Sequence, residues 1–93
     1  MTILEKLIIL HKMTKKDLAA QLGITTKSLE NKLKYIEKWN DQEIKSIKEL
    51  FKLMPWQLEL MFFVKVLSDT QMKMRKAWIK SMDYLINYAN SFD

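Results

Sequence analysis

The sequence of 93 residues lacks cysteine and contains only one glycine, one proline and one histidine. Without cysteine, neither disulfide bonds nor thiolate ligands for zinc can form. With a single histidine, neither a histidine-based metal centre nor a catalytic triad can be built. No carboxylate pair has a candidate nucleophile or cofactor loop nearby. We therefore expect no metal, no cofactor and no enzymatic activity.

The shortage of glycine and proline also leaves few positions for tight hairpins, and the apolar residues recur at helical spacing throughout the chain. These features predict an all-α fold. Long apolar runs are missing as well, because none approaches the roughly 20 residues that a membrane-spanning helix requires. We therefore expect a cytoplasmic protein without a membrane partner.

Basic residues exceed acidic residues mainly in the first half of the chain. Residues 1–48 contain ten lysines and six acidic residues, whereas residues 49–93 contain six basic and five acidic residues, and the net charge is +5. A basic first half suits a polyanionic partner such as nucleic acid. The alternative is a lysine-rich surface that is only solvated.

Start signals divide the chain into six predicted helices. Three kinds of start signal occur: N-cap residues, a proline that fits a first helical turn, and capping boxes. In a capping box, each of two side chains accepts from the other residue's backbone N–H. The starts are Thr2 with Glu5, Thr14 with Asp17, Thr25, Asn40 with Glu43, Pro55, and Ser68 with Gln71. Residues 1–66 would hold five helices in one small domain, and residues 67–93 would hold a long last helix as an extension.

The segment 14–34, TKKDLAAQLGITTKSLENKLK, has the pattern of two short helices joined by a tight turn at Gly23. Glycine readily supplies the positive φ that ends the first helix, and Ala19 is small enough for the two helices to cross closely. The inward positions are Leu18, Leu22, Ile24, Leu29 and Leu33. This is the pattern of a helix-turn-helix, whose second helix can enter the major groove of DNA.

The outward face of that second helix carries short polar side chains that suit base edges and phosphates. They are Thr25, Thr26, Lys27, Ser28, Glu30, Asn31 and Lys34. Lys15 and Lys16 begin the first helix, where free backbone N–H groups and two cations can hold a phosphate. Glu30 can accept from a cytosine amine, pair with a neighbouring lysine, or be merely exposed.

A longer pattern surrounds this motif. It consists of KKDLAAQLGI, TTKSLENKL, an aromatic residue at Trp39, DQEIKSIKELFKL and the pair Phe62-Phe63. From about Thr14 to Phe63 the chain resembles the Cro/repressor-type (Xre-like) family, particularly regulators of Gram-positive bacteria and their phages. The resemblance implies a five-helix DNA-binding domain that usually acts as a homodimer on a palindromic operator.

The resemblance also implies roles for single residues. Positions that contact bases in the family correspond to Thr26, Lys27, Ser28 and Asn31, and positions that hold phosphates correspond to Lys15 and Lys32. With the outward face included, the expected base contacts are Thr25, Thr26, Lys27, Ser28 and Asn31. The expected phosphate contacts are Lys15, Lys16, Lys32 and Lys34.

The last predicted helix has an apolar stripe with spacings of three and four residues. Its members include Met74, Trp78, Met82, Leu85 and Ile86. Such a stripe needs a cover, and two covers remain open. The helix packs on its own domain, the stripe forms a homodimer interface, or both occur together.

Two functions follow as expectations. The first is a sequence-specific transcriptional regulator, of phage or mobile-element type, that binds double-stranded DNA as a homodimer. The second is the same fold reused to bind a protein, as an anti-repressor, an antitoxin or an inhibitor of a defence enzyme. Three features motivate the second: the charge of Glu30, the glycine-free exit at Tyr35-Ile36, and the aromatic, Met-rich last third of the chain.

Overall fold

A computed structural model describes residues 1–35 and 38–91, and the regular secondary structure in these ranges is helical. The α-helices are α1 (Ile3–Leu10), α2 (Lys15–Leu22), α3 (Thr26–Lys34), α4 (Asp41–Phe51), α5 (Pro55–Leu58) and α6 (Asp69–Asn90). The all-α prediction is confirmed for this part of the chain. No helix in the described ranges is long and apolar enough to cross a membrane.

The predicted start signals form as hydrogen bonds. Four helices begin with reciprocal capping boxes, in which each side chain accepts from the other residue's backbone N–H. The pairs are Thr2 with Glu5, Thr14 with Asp17, Asn40 with Glu43, and Ser68 with Gln71. α3 begins at Thr25, whose hydroxyl oxygen accepts from the Ser28 N–H at 3.1 Å. The boundaries of these helices are therefore set by residues within their own first turns.

Pro55 begins α5 as predicted, but the helix changes its hydrogen bonding after one turn. Residues Glu59–Phe63 form a π-helical segment. The Val64 N–H closes it by donating to the Glu59 carbonyl, five residues back, at 3.1 Å. The predicted single fifth helix is thus an α-helical turn followed by a π-helical one.

Three helices end on a residue with a left-handed backbone. These residues are Lys12 after α1 (φ 55°), Gly23 after α2 (φ 71°) and Lys52 after α4 (φ 53°). In each case the next residue's N–H reaches back five positions to a carbonyl of the last turn, at 3.0 Å. This is the Schellman arrangement, which favours glycine because a Cβ disfavours the left-handed conformation. Lysine occupies the position twice.

Glycine at position 52 is therefore expected to stabilise the protein. Lys52→Gly should raise the free energy of unfolding by about 0.5–1 kcal/mol, because relief of the left-handed strain exceeds the extra entropy of the unfolded chain. The measurement is urea denaturation. Lys45→Gly is the control, since it removes the same charge from a solvent-exposed position in the middle of α4. It should destabilise the protein by about 1 kcal/mol. Destabilisation by both variants would contradict the expectation.

The hydrophobic core lies where α1, α2, α3 and α4 meet. Its centre is formed by Leu18, Leu29 and Ile47, which are fully buried. Trp39 and Phe51 are also buried. The core holds α2 and α3 together, so the inner side of α3 is fixed by packing while its outer side is exposed.

α6 packs against α1, and an ion pair between Lys6 and Asp83 joins the two helices. Met82 is buried in the common core, and Trp78 packs against that core. The Trp78 ring also contacts Trp56 edge to face, with 5.6 Å between ring centroids. The last helix therefore packs on its own domain.

The packing of α6 on its own domain divides the predicted interface stripe into covered and exposed members. Met82 is 3% exposed, because its own chain covers the side chain. Trp78 is half-buried for the same reason, and so is Ile86. The exposed members of the stripe are Met74 and Leu85.

Candidate nucleic-acid interface

α2 and α3 contact each other across a three-residue turn formed by Gly23, Ile24 and Thr25. The Ile24 N–H donates to the Ala19 carbonyl at 3.0 Å, which fixes the start of the turn. Apart from Gly23 and its two neighbours in the chain, no atom of the described residues lies within 4 Å of where a Cβ on Gly23 would be, so its backbone conformation favours glycine there. Ala19 is 2% exposed, which agrees with the close crossing predicted at this position.

The outward face of α3 is largely available to solvent. Thr25, Thr26, Lys27, Asn31 and Lys34 are exposed, and Ser28 is half-buried. The Thr25 oxygen already accepts from the Ser28 N–H, so its hydroxyl proton and one further lone pair remain for a ligand. Within residues 1–35 and 38–91, the Lys27 and Asn31 side chains form no hydrogen bond or ion pair. Five of the predicted base and phosphate positions are thus accessible, and three of them, Lys27, Asn31 and Lys34, lie on one face of α3.

Lys15 and Lys16 both lie in the first turn of α2, but their surroundings differ. The Lys15 ammonium lies 3.6 Å from Glu5 Oε2, whereas Lys16 is exposed. The Thr2 backbone N–H, which donates to Glu5, lowers the pKa of that carboxyl, although burial opposes the shift. The Thr14 N–H likewise lowers the pKa of Asp17. Both carboxylates therefore stay ionised at neutral pH, and Lys15 shares its charge with one of them.

Lys32 is held inside the protein. Its ammonium donates to Glu43 Oε1 at 2.9 Å and to the Lys38 carbonyl at 2.8 Å, and its side chain is 15% exposed. The Trp39 indole N–H donates back to the Lys32 carbonyl at 2.9 Å. These bonds connect the last turn of α3 with the start of α4. Two of its three N–H donors are engaged there, so Lys32 lies apart from the exposed lysines among the predicted phosphate contacts.

The exit from α3 differs from a tight glycine turn. Tyr35 has an extended backbone, its side chain is 48% exposed, and the Lys38 ammonium lies 5.1 Å from its ring centroid. Ile36 and Glu37, to which part of the sequence-based expectation refers, lie outside the described residues. Glu30 is exposed, and among the described residues it pairs with neither Lys27 nor Lys34.

Sequence reasoning missed Glu43 as the partner of Lys32. The two residues are eleven positions apart and on different helices, so no local spacing joins them. Glu43 is 8% exposed, and its carboxylate also accepts from the Asn40 N–H at 3.1 Å. A helix-capping signal at Asn40 was visible in the sequence, but it did not reveal this second use of the carboxylate.

In the described ranges, no group of three or more histidine, cysteine or acidic residues is placed to hold a metal ion. The arrangement offers hydrogen-bond donors, acceptors and cations on one helix face. These groups can bind a polar, anionic surface.

Comparisons of the chain with family models, with curated proteins and with solved structures gave no match.

Proposed function

We propose that this protein is a sequence-specific DNA-binding regulator that inserts α3 into the major groove of double-stranded DNA as the second helix of a helix-turn-helix. The observation that carries the proposal is the exposed polar face of α3, with Lys27 and Asn31 unengaged, above the fully buried Leu29. The buried side holds the helix in place, and the exposed side can hydrogen-bond with base edges. The Cro/repressor-type resemblance of the sequence supports the same function.

In this proposal the base contacts come from the exposed face of α3, and the phosphate contacts come from both ends of the motif. Lys34 is exposed on the last turn of α3, and Lys16 is exposed on the first turn of α2. Lys15 contributes a weaker phosphate contact, because the nearby Glu5 carboxylate offsets part of the lysine's charge. Phosphate contacts of this kind fix the position of a protein on DNA, whereas base contacts distinguish one sequence from another.

The proposal includes a homodimer on a palindromic operator. Two copies of α3 would then occupy successive major grooves, with half-sites about 10 bp apart. Met74 and Leu85 remain available on α6 for such a contact, being 37% and 48% exposed. Bound near a promoter, the dimer would block or redirect polymerase.

The test is a binding titration on a duplex that the wild-type protein enriches from a random library. Lys27→Ala and Asn31→Ala should each weaken binding by about 1–3 kcal/mol and relax the preference at one base position. Lys45→Ala is the matched control, because it removes an exposed lysine from α4 and should leave base preference unchanged. Equal affinity and selectivity of the Lys27→Ala, Asn31→Ala double variant and the wild type would refute the assignment of α3.

A protein partner is the second candidate function. The observation in its favour is the set of large apolar side chains left in solvent on and before α6. Phe63 is 60% exposed, Val66 87% and Tyr84 67%. Exposed apolar groups of this size favour a protein contact. Absence of any selective DNA binding, together with a stable complex with one purified protein, would favour this candidate.

A further inference from the structure

A groove of about 560 Å³ lies beside the end of α3. Buried apolar residues line it, among them Trp39 and Leu60. Three exposed cations line the same groove, and they come from three separate parts of the chain. Lys34 belongs to the last turn of α3, Lys65 to the segment between the π-helical turn and α6, and Arg75 to α6.

The positive charge at this groove is not balanced by the protein. Across the two described ranges, no carboxylate pairs with any of the three cations. Glu5 also lines the groove, but its carboxylate accepts from the Thr2 N–H at 3.1 Å and lies 3.6 Å from the Lys15 ammonium. Lys32 lines the groove too, and its charge is matched by Glu43. The three remaining cationic side chains that line the groove therefore lack a counter-charge among the described residues.

We infer that Lys34, Lys65 and Arg75 form a binding site for the phosphate backbone of double-stranded DNA, a role that neither the motif nor the resemblance gives to Lys65 and Arg75. The inference rests on the proposed function of α3. Arg75 is the only arginine of the chain. A guanidinium can bind two phosphate oxygens at once, which a lysine ammonium does not do with the same geometry.

The position of the cluster favours a DNA backbone over other anions. An α-helix with its side chains is about 10–12 Å across, and the major groove is about 12 Å wide. An inserted α3 therefore fills the groove, and the phosphate strands that border it lie close to the helix. Lys34 stands at the end of α3, and Lys65 and Arg75 line the same cavity as Lys34. They extend the contact of α3 from the bases to the adjacent backbone.

The experiment measures how DNA affinity depends on salt. The test variant is Lys65→Gln with Arg75→Gln, and the matched control is Lys45→Gln with Lys73→Gln, which removes two exposed cations that do not line the groove. Both variants and the wild type are titrated with two duplexes about three helical turns long. One duplex is enriched from a random library by the wild type, and the other has mixed sequence. Thermal denaturation confirms that each variant folds.

Each lost phosphate contact reduces the slope of log affinity against log salt by about 0.9. The test variant should therefore have a slope smaller by nearly 2 on both duplexes, with its base preference intact, while the control changes little. An equal slope for the test variant and the wild type overturns the inference and leaves the proposed function standing. An equal decrease in the control overturns it as well, because the effect would then reflect net charge. If the wild type binds neither duplex, the proposed function fails and the inference fails with it.

Discussion

Leu29→Ala is expected to lower the free energy of unfolding by about 3–5 kcal/mol. Leu29 is fully buried on the inner side of α3, whereas the next two residues, Glu30 and Asn31, are exposed. Replacing a buried leucine by alanine removes apolar contacts and leaves a cavity that the surroundings fill only in part. A domain of this size has a total stability of about 5–15 kcal/mol, so one substitution would remove a large share of it.

Denaturation in urea, followed by circular dichroism, measures the effect. Glu30→Ala is the control on the same helix, because that side chain is exposed and the change should alter stability by no more than about 0.5 kcal/mol. Similar midpoints for Leu29→Ala and Glu30→Ala would show that α3 is not anchored through Leu29. The packing inferred to hold the proposed DNA-binding face in place would then be wrong.

Lys32→Met is expected to destabilise the protein by about 3 kcal/mol. It removes the cation opposite Glu43, whose side chain is 9% exposed, and an unpaired buried carboxylate is unfavourable. The loss should lie at the low end of the range for broken buried pairs, because the Asn40 N–H still donates to the carboxylate. Glu43→Gln in the same background should recover part of the loss, since it removes the stranded charge.

A double-mutant cycle on the unfolding free energies measures the coupling of these two residues. Lys34→Met is the control, because it removes an exposed lysine of the same helix and should leave stability nearly unchanged. DNA titrations separate the structural role of Lys32 from the phosphate contact that the sequence suggested. A folded Lys32→Met variant should keep the wild-type salt slope. A reduced salt slope in a Lys32→Met variant of unchanged stability would support a phosphate contact by Lys32 and contradict the ion-pair assignment.

Much of the fold could be predicted because its signals are local. The capping boxes, the left-handed Gly23 and the first-turn Pro55 each depend on residues within one helical turn, and the sequence shows them directly.

The remaining features depend on contacts between distant residues or on strain that composition does not show. Lys32 and Glu43 meet only after α3 and α4 are in place. The apolar stripe of α6 was visible, but its cover is α1 and the core, and helical spacing does not say what a helix packs against. Lys12 and Lys52 occupy a backbone conformation that favours glycine, so the sequence did not show how α1 and α4 end.

The capping boxes at the starts of four helices also bear on how quickly the chain reaches its native state. Each box closes a loop of only four residues, so it forms without waiting for distant segments to meet. Folding rates of small domains rise as their contacts become more local, and helical domains are among the fastest. We therefore expect the helix starts to form early in folding, before the distant helices α1 and α6 meet.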